Sequence, residues 1–234
     1  MAAHKLLDDD AREAAKFDVI GMSVKPDYIN HLAVLSEPVS IRHGMTVDVF
    51  EMKPPLLAGQ LDPNTSKPLY GTGKAHAVGW IDDLSVDERR YIEIWIKDTR
   101  TKVPSNIIKC YIIDPPWYDI LEKGTRRIMS RRFSCAGFVL RCYEEGLGIR
   151  LLDCTPDCLP PVDRALLESI YDEDTLEVLD RLGDRLGITG PPPWRIVLCG
   201  YVLHALNRPV ELIRTTPHRV SGVEEAEFPF DAQA

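Results

Sequence analysis

No segment of this chain carries enough uninterrupted apolar residues to cross a bilayer, and the stretch MAAHKLLDDDAREAAKFD lacks the long apolar run of a secretory signal. The expectation is a soluble, cytoplasmic protein with no membrane span, with export as an effector or phage protein left open. Cysteine is sparse. Six in 234 residues make no dense disulfide framework, so each reads as a thiol to be judged by its surroundings. Positive charge is not in excess: 28 Lys and Arg against 36 Asp and Glu give a formal charge of −8. Such a chain has no field suited to a polyanion, and nucleic acid is not an expected partner. A phosphate-binding loop is missing too, because Pro68 and Ala75 flank Gly73-Lys74 where that motif needs glycine and a hydroxyl residue. No internal repeat and no low-complexity segment are present.

What the chain does have is apolar content, 44% of its residues, enough for one substantial core and an appendage. Residues 6–15 read as a short polar helix. Residues 39–51 (VSIRHGMTVDVFE) alternate apolar and polar around a glycine and predict a strand or hairpin. A loop rich in Pro, Gly and Asn, residues 53–73, is long enough to form a flap or rim. Residues 75–82 (AHAVGWID), 90–97 (RYIEIWIK) and 107–113 (IIKCYII) predict three strands of a small antiparallel sheet, the last stopped by Asp114-Pro115-Pro116. Helices are expected over 121–129, from the Ser134 cap to about 145, and beyond Pro160 over 164–171, 174–186 and 195–206. From residue 215 the chain is expected to be extended or disordered.

The chemistry-bearing feature is Arg132-Phe133-Ser134-Cys135-Ala136-Gly137-Phe138-Val139. A cysteine in the first turn of a helix meets unpaired N–H groups and the positive end of the helix dipole, which favour a thiolate. The same N–H groups could hold the oxyanion formed when that thiolate attacks a carbonyl. Cys135, Phe138, Val139 and Cys142 share one helix face, so the sulfur is expected to point toward the strands. Small Ala136 and Gly137 leave room beside it for backbone or substrate. A buried structural cysteine is the alternative reading.

A nucleophilic thiol needs a base. Of the six histidines, His4 lies in the N-terminal stretch, His31 and His43 in the first third, His218 in the tail, and His204 on the final helix as a packing residue. His76 opens the AHAVGW strand after the Gly71-Thr72-Gly73 turn. Strict alternation in Tyr91-Ile92-Glu93-Ile94-Trp95 puts Glu93 opposite the apolar face of the next strand.

The segment Phe133–Val139, followed by Tyr143-Glu144-Glu145-Gly146-Leu147-Gly148-Ile149, resembles the nucleophile segment of the NlpC-type papain-like cysteine hydrolases, with Ala136 in place of the usual serine. Gly73-Lys74-Ala75-His76-Ala77-Val78-Gly79-Trp80-Ile81 resembles the family's histidine strand. His76 precedes Cys135, which is the order of the circularly permuted members related to the lecithin–retinol acyltransferase group. The resemblance implies an α+β, papain-like core over residues 1–160, with an antiparallel sheet packed on the nucleophile helix, and a C-terminal helical extension with a tail over 161–234. It implies Cys135 as nucleophile, His76 as base and Glu93 as the orienting residue, with Asp98 in reserve. Ser134 and Ala136 would flank the oxyanion, which rests on the Cys135 N–H.

The expected activity is a cysteine hydrolase of the peptidase or amidase type acting on a peptide, amide or acyl substrate, without metal or organic cofactor. An acyltransferase or thioesterase using the same dyad, and a non-catalytic interaction protein on the same fold, are the alternatives. Arg126-Arg127 and Arg131-Arg132 could lower the thiol pKa or bind a carboxylate, or simply form a solvated face. Cys154 and Cys158 lack the further ligands a metal would need and read as structural.

Overall fold

Short apolar segments in the first third of the chain build most of the strands. In the computed structural model, which describes residues 4–7, 10–25, 27–53, 69–82, 84–104 and 107–227, these are β1 (His4–Leu6), β2 (Arg12–Ala14), β3 (Val19–Met22), β4 (His31–Leu35), β5 (Val39–Ile41), β6 (Thr46–Glu51), β7 (Gly71–Lys74) and β8 (Ala77–Gly79). Six of them form one sheet in the order β1-β8-β3-β4-β6-β7, every neighbouring pair antiparallel. β2 and β5 pair as a separate ribbon.

Val19, Leu32, Val34, Phe50 and Ala77 join the larger core, while Ile20, Ala33, Leu35, Val49 and Val78 join a second core with Ala14 and Ile41 of the ribbon. Neighbouring residues on a strand face opposite ways. Both faces are therefore covered, which is why β3 and β4 are runs of apolar residues and do not alternate.

The remaining elements are α1 (Val86–Lys102), α2 (Ile107–Cys110), the hairpin strands β9 (Trp117–Leu121) and β10 (Ile128–Phe133), then α3 (Cys135–Leu147), α4 (Arg164–Ile170), α5 (Glu173–Leu186), α6 (Cys199–Leu206) and α7 (Val210–Thr215). The larger core includes Ile92 and Trp95 of α1, Phe138 and Val139 of α3, and Val202 and Leu203 of α6. The fold class is α+β with antiparallel sheets. Among the described residues, no helix is long and apolar enough to cross a membrane.

Several sequence expectations are corrected. Residues 90–97 lie inside α1, not in a strand. Ser85 and Glu88 form a reciprocal capping box at its start, and Ile92, Trp95, Ile96 and Thr99 are buried at helical spacing. Ile94, which strict alternation pairs with Ile92, is 53% exposed. The cap and the 3.6-residue stripe win over an accidental two-residue pattern.

Residues 6–15 contribute to β1 and β2, because pairing with β8 and β5 overrides a weak local helix preference. The expected strand 107–113 begins as the single turn α2, and only Tyr111 bridges β10 at Phe133. The expected helix 121–129 is the turn of a hairpin, with Gly124 at φ +83°. The last long helix starts at Cys199, not at 195, and beyond residue 215 His218 pairs with Leu152 before a 3₁₀ turn over Val223–Ala226. Of the expected rim loop, residues 54–68 lie outside the described residues.

Candidate active site

The nucleophile segment is positioned by the end of the β9–β10 hairpin. Ser134 has extended backbone, its Oγ accepts from the Gly137 N–H at 2.8 Å, and its own N–H donates to the Pro116 carbonyl at 2.8 Å. A Cβ at Gly137 would stand 1.8 Å from that same carbonyl, so glycine is required where the hairpin entry crosses the helix start. Gly148, left-handed at φ +74°, closes α3. Gly146 lies within α3 and does not stop it. Cys135 is the first residue of α3, 4% exposed.

The histidine that faces Cys135 is His31, the first residue of β4. Its Nε2 lies 2.7 Å from Glu51 Oε2, the last residue of β6. The His31 imidazole and the Cys135 thiol each favour the other's charged form. The register Ala33↔Glu51 makes His31 and Glu51 diagonal neighbours on adjacent strands. The backbone of Leu32, one residue past the last β4–β6 pair, also favours the Cys135 thiolate. Lys53 Nζ lies 3.1 Å from Glu51 Oε1.

Two further groups touch the sulfur: Cys199 Sγ at 3.5 Å, from the first turn of α6, and the Tyr111 hydroxyl at 3.8 Å. Arg132 donates to the Tyr111 carbonyl at 2.9 Å and so fixes the backbone that carries the phenol.

These contacts set the charge state. A hydrogen bond from the Cys199 thiol holds Cys135 well below the ordinary thiol value against the cost of burial, and the His31 charge and the Leu32 N–H add to it. Burial works against a charged His31, yet the Cys135 thiolate and the Glu51 carboxylate raise it to about 10. Cys199, as the donor beside a thiolate in a buried site, is pushed well above its usual value. These shifts favour a thiolate beside an imidazolium, with a carboxylate against the ring, a pairing suited to nucleophilic thiol chemistry.

No family model, no curated protein and no solved structure matches the chain.

The structure separates His76 from Cys135's immediate partners. His76 precedes β8, accepts at Nδ1 from the Ser23 N–H at 3.0 Å, and packs edge-on against His43 with ring centroids 5.0 Å apart. Burial, His43 and Lys74 lower its pKa, which favours a neutral acceptor. Glu93 lies on the outer face of α1, paired with Lys97 at 3.0 Å and Lys16 at 3.8 Å. Asp98, on the same helix, pairs with Lys102. The resemblance puts Glu93, with Asp98 in reserve, on a strand beside the histidine, whereas both lie on α1.

Ala136 is buried beside Cys135, and Ser134 acts as the helix cap. Arg131 is 3% exposed and bonded to Glu145 at 2.6 Å, and Arg132 bonds backbone carbonyls, so neither reaches the sulfur. Arg126 and Arg127 are exposed near the hairpin turn.

Sequence reasoning missed His31, Glu51, Cys199 and Tyr111. One signal was available for Glu51: in TVDVFE it shares the parity of Val47 and Val49, a carboxylate on a buried face.

Proposed function

We propose that the chain is a cysteine hydrolase that cleaves an amide or ester bond through a covalent acyl-enzyme, with Cys135 as nucleophile, His31 as acid and base, and Glu51 orienting the imidazole. The observation that carries the reading is the single line of contacts from Glu51 through His31 to a cysteine at a helix N-terminus. The Cys135 thiolate attacks the carbonyl carbon, and the carbonyl electron pair moves to oxygen. The free N–H of the first turn, above all that of Cys135, receives the oxyanion. As the tetrahedral species collapses, the His31 imidazolium gives its proton to the departing amine or alkoxide. Water then attacks the thioester with His31 as base, and the thiolate leaves.

The histidine still precedes the cysteine in the chain, as in the permuted NlpC-type hydrolases that residues 133–149 resemble. The papain-like assignment rests on that order and on an antiparallel sheet packed against the nucleophile helix. His31 takes the role that the resemblance implies for His76.

A second reading, transfer of the acyl group to an amine or alcohol, draws on one observation. The hairpin that leads into Ser134 exposes Tyr118, Ile120, Leu121 and Met129, an apolar surface suited to an acyl chain.

The test is acylation by an activated ester followed by peptide mass mapping. An adduct on Cys135 that is lost in His31→Ala and released by water supports hydrolysis. Faster release by added amine than by water supports transfer. No adduct on Cys135, or one unaffected by His31→Ala, would remove both and leave a non-catalytic protein.

A further inference from the structure

Away from the thiol site, three metal-ligating side chains converge where the C-terminal segment crosses α6. His204, on α6, and His218, after α7, stack with ring centroids 5.2 Å apart and an interplanar angle of 24°. Glu225, on the 3₁₀ turn Val223–Ala226, places Oε2 at 2.5 Å from His218 Nε2 and 3.8 Å from His204 Nε2. The ligand atoms of all three lie within 4.8 Å of one another.

Two of the three ligands are held from behind. The backbone of His218 is fixed on both sides, its N–H donating to Leu151 O at 2.9 Å and its carbonyl accepting from Asp153 N–H at 2.8 Å. Glu225 Oε1 accepts from the Ser221 N–H at 2.8 Å and from its hydroxyl at 2.5 Å. The second oxygen is thereby aimed at the histidines. Glu225 is 9% exposed while His204 is 45% exposed on its side chain, so the cluster has a buried floor and an open side.

We propose that His204, His218 and Glu225 form a binding site for a borderline divalent cation, Zn²⁺ in the first instance, with water completing the coordination from the open side. Two imidazoles and one carboxylate are the donors such an ion takes with three protein ligands, whereas Mg²⁺ and Ca²⁺ take oxygen. Metal bonds of about 2.0–2.2 Å place tetrahedral ligand atoms roughly 3.3 Å apart. The His218–Glu225 pair must open by somewhat under 1 Å and His204 close by less than that, which rotation of exposed His204 allows. The cation takes the place of the His218–Glu225 hydrogen bond, and the proton of that bond leaves to solvent. Ser221 acts behind the carboxylate as a positioning residue. The consequence is a clamp that ties the C-terminal segment to α6, the helix whose first residue is Cys199.

The test is chelator-competition titration of the full chain with Zn²⁺, together with Co²⁺ absorption spectroscopy. The expected result is one ion per chain, a Co²⁺ d–d spectrum without a sulfur charge-transfer band, and the same affinity in Cys135→Ser. Ser221→Ala is expected to weaken binding about tenfold, and His204→Ala and Glu225→Gln by more. Because His204 is exposed, His204→Ala should fold normally, which a circular dichroism spectrum checks. Absence of binding, a sulfur-ligated spectrum, or unchanged affinity in both His204→Ala and Glu225→Gln would overturn the proposal.

Discussion

His31 Nε2 stands 2.7 Å from Glu51 Oε2, and the Cys135 thiolate and the Glu51 carboxylate both favour a charged His31. The carboxylate both orients the ring and favours its charged form. Glu51→Gln keeps a hydrogen-bonding partner but loses the charge. The expected outcome is a lower His31 pKa and a smaller turnover number with KM little changed, measured on an activated ester. His31→Ala is expected to cost about 10²–10⁴-fold in turnover. Unchanged turnover in both variants would count against the assignment, and His76→Ala is expected to leave turnover close to that of the unmodified chain.

The Cys199 sulfur lies 3.5 Å from that of Cys135, and its hydrogen bond is the largest influence holding the Cys135 pKa down. Cys199→Ala removes that donor and should raise the Cys135 pKa, whereas Cys199→Ser restores an O–H and should restore much of the shift. The pH dependence of alkylation by iodoacetamide, mapped to Cys135, reads both. Identical profiles for Ala and Ser would mean that the contact is only packing.

The opposed shifts of Cys135 and His31 set a pH profile. Activity should rise through the depressed titration of Cys135, below the ordinary thiol range, and hold across neutral pH. It should fall again as His31 gives up its proton near about 10, since the leaving group then lacks its acid. A profile that rises only around pH 8 to 9, roughly the free-thiol range, would contradict the ion pair.

Asp18 supplies a test of the fold that leaves the site alone. Burial pushes its carboxyl up to about 6, against the Ala15 N–H at 2.7 Å and the Arg89 charge, which pull it down. The folded value lies above the unfolded one, so the contribution is complete at low pH and is lost as pH rises through about 6. Asp18→Asn keeps an acceptor for Ala15 and carries no charge. It is expected to stabilise the fold at pH 8 by about 1–3 kcal/mol and hardly at all at pH 4, read from urea midpoints.

Phe138 is fully buried between Trp95 and Phe133, with ring centroids 5.6 and 6.0 Å away. Phe138→Ala should cost about 3–5 kcal/mol in unfolding free energy. Because Phe138 anchors the face of α3 that carries Cys135, the loss should also slow alkylation of Cys135 at fixed pH.

The nucleophile helix was legible because its signals are local: the Ser134 cap, the Gly137 contact and the Gly148 stop all lie within a few residues of Cys135. The base was not. His31 and Glu51 meet through the pairing of β4 with β6, twenty residues apart in sequence, and Cys199 arrives from 64 residues beyond Cys135. Only tertiary packing brings those groups together. Residues 90–97 misled through a chance alternation that hid the capping box at Ser85 and carried Glu93 to the wrong element. His204 read as a packing histidine and His218 as tail, since neither shows its partner without the bridge between His218 and Leu152.

The ultraviolet absorbance of the Cys135 thiolate measures directly whether Cys199 and His31 hold it ionised. The difference between the unmodified chain and Cys135→Ala, followed across pH, should titrate well below the ~8.5 of a free cysteine and shift upward in His31→Ala. A midpoint at or above ~8.5 that His31→Ala leaves in place would contradict an ionised Cys135.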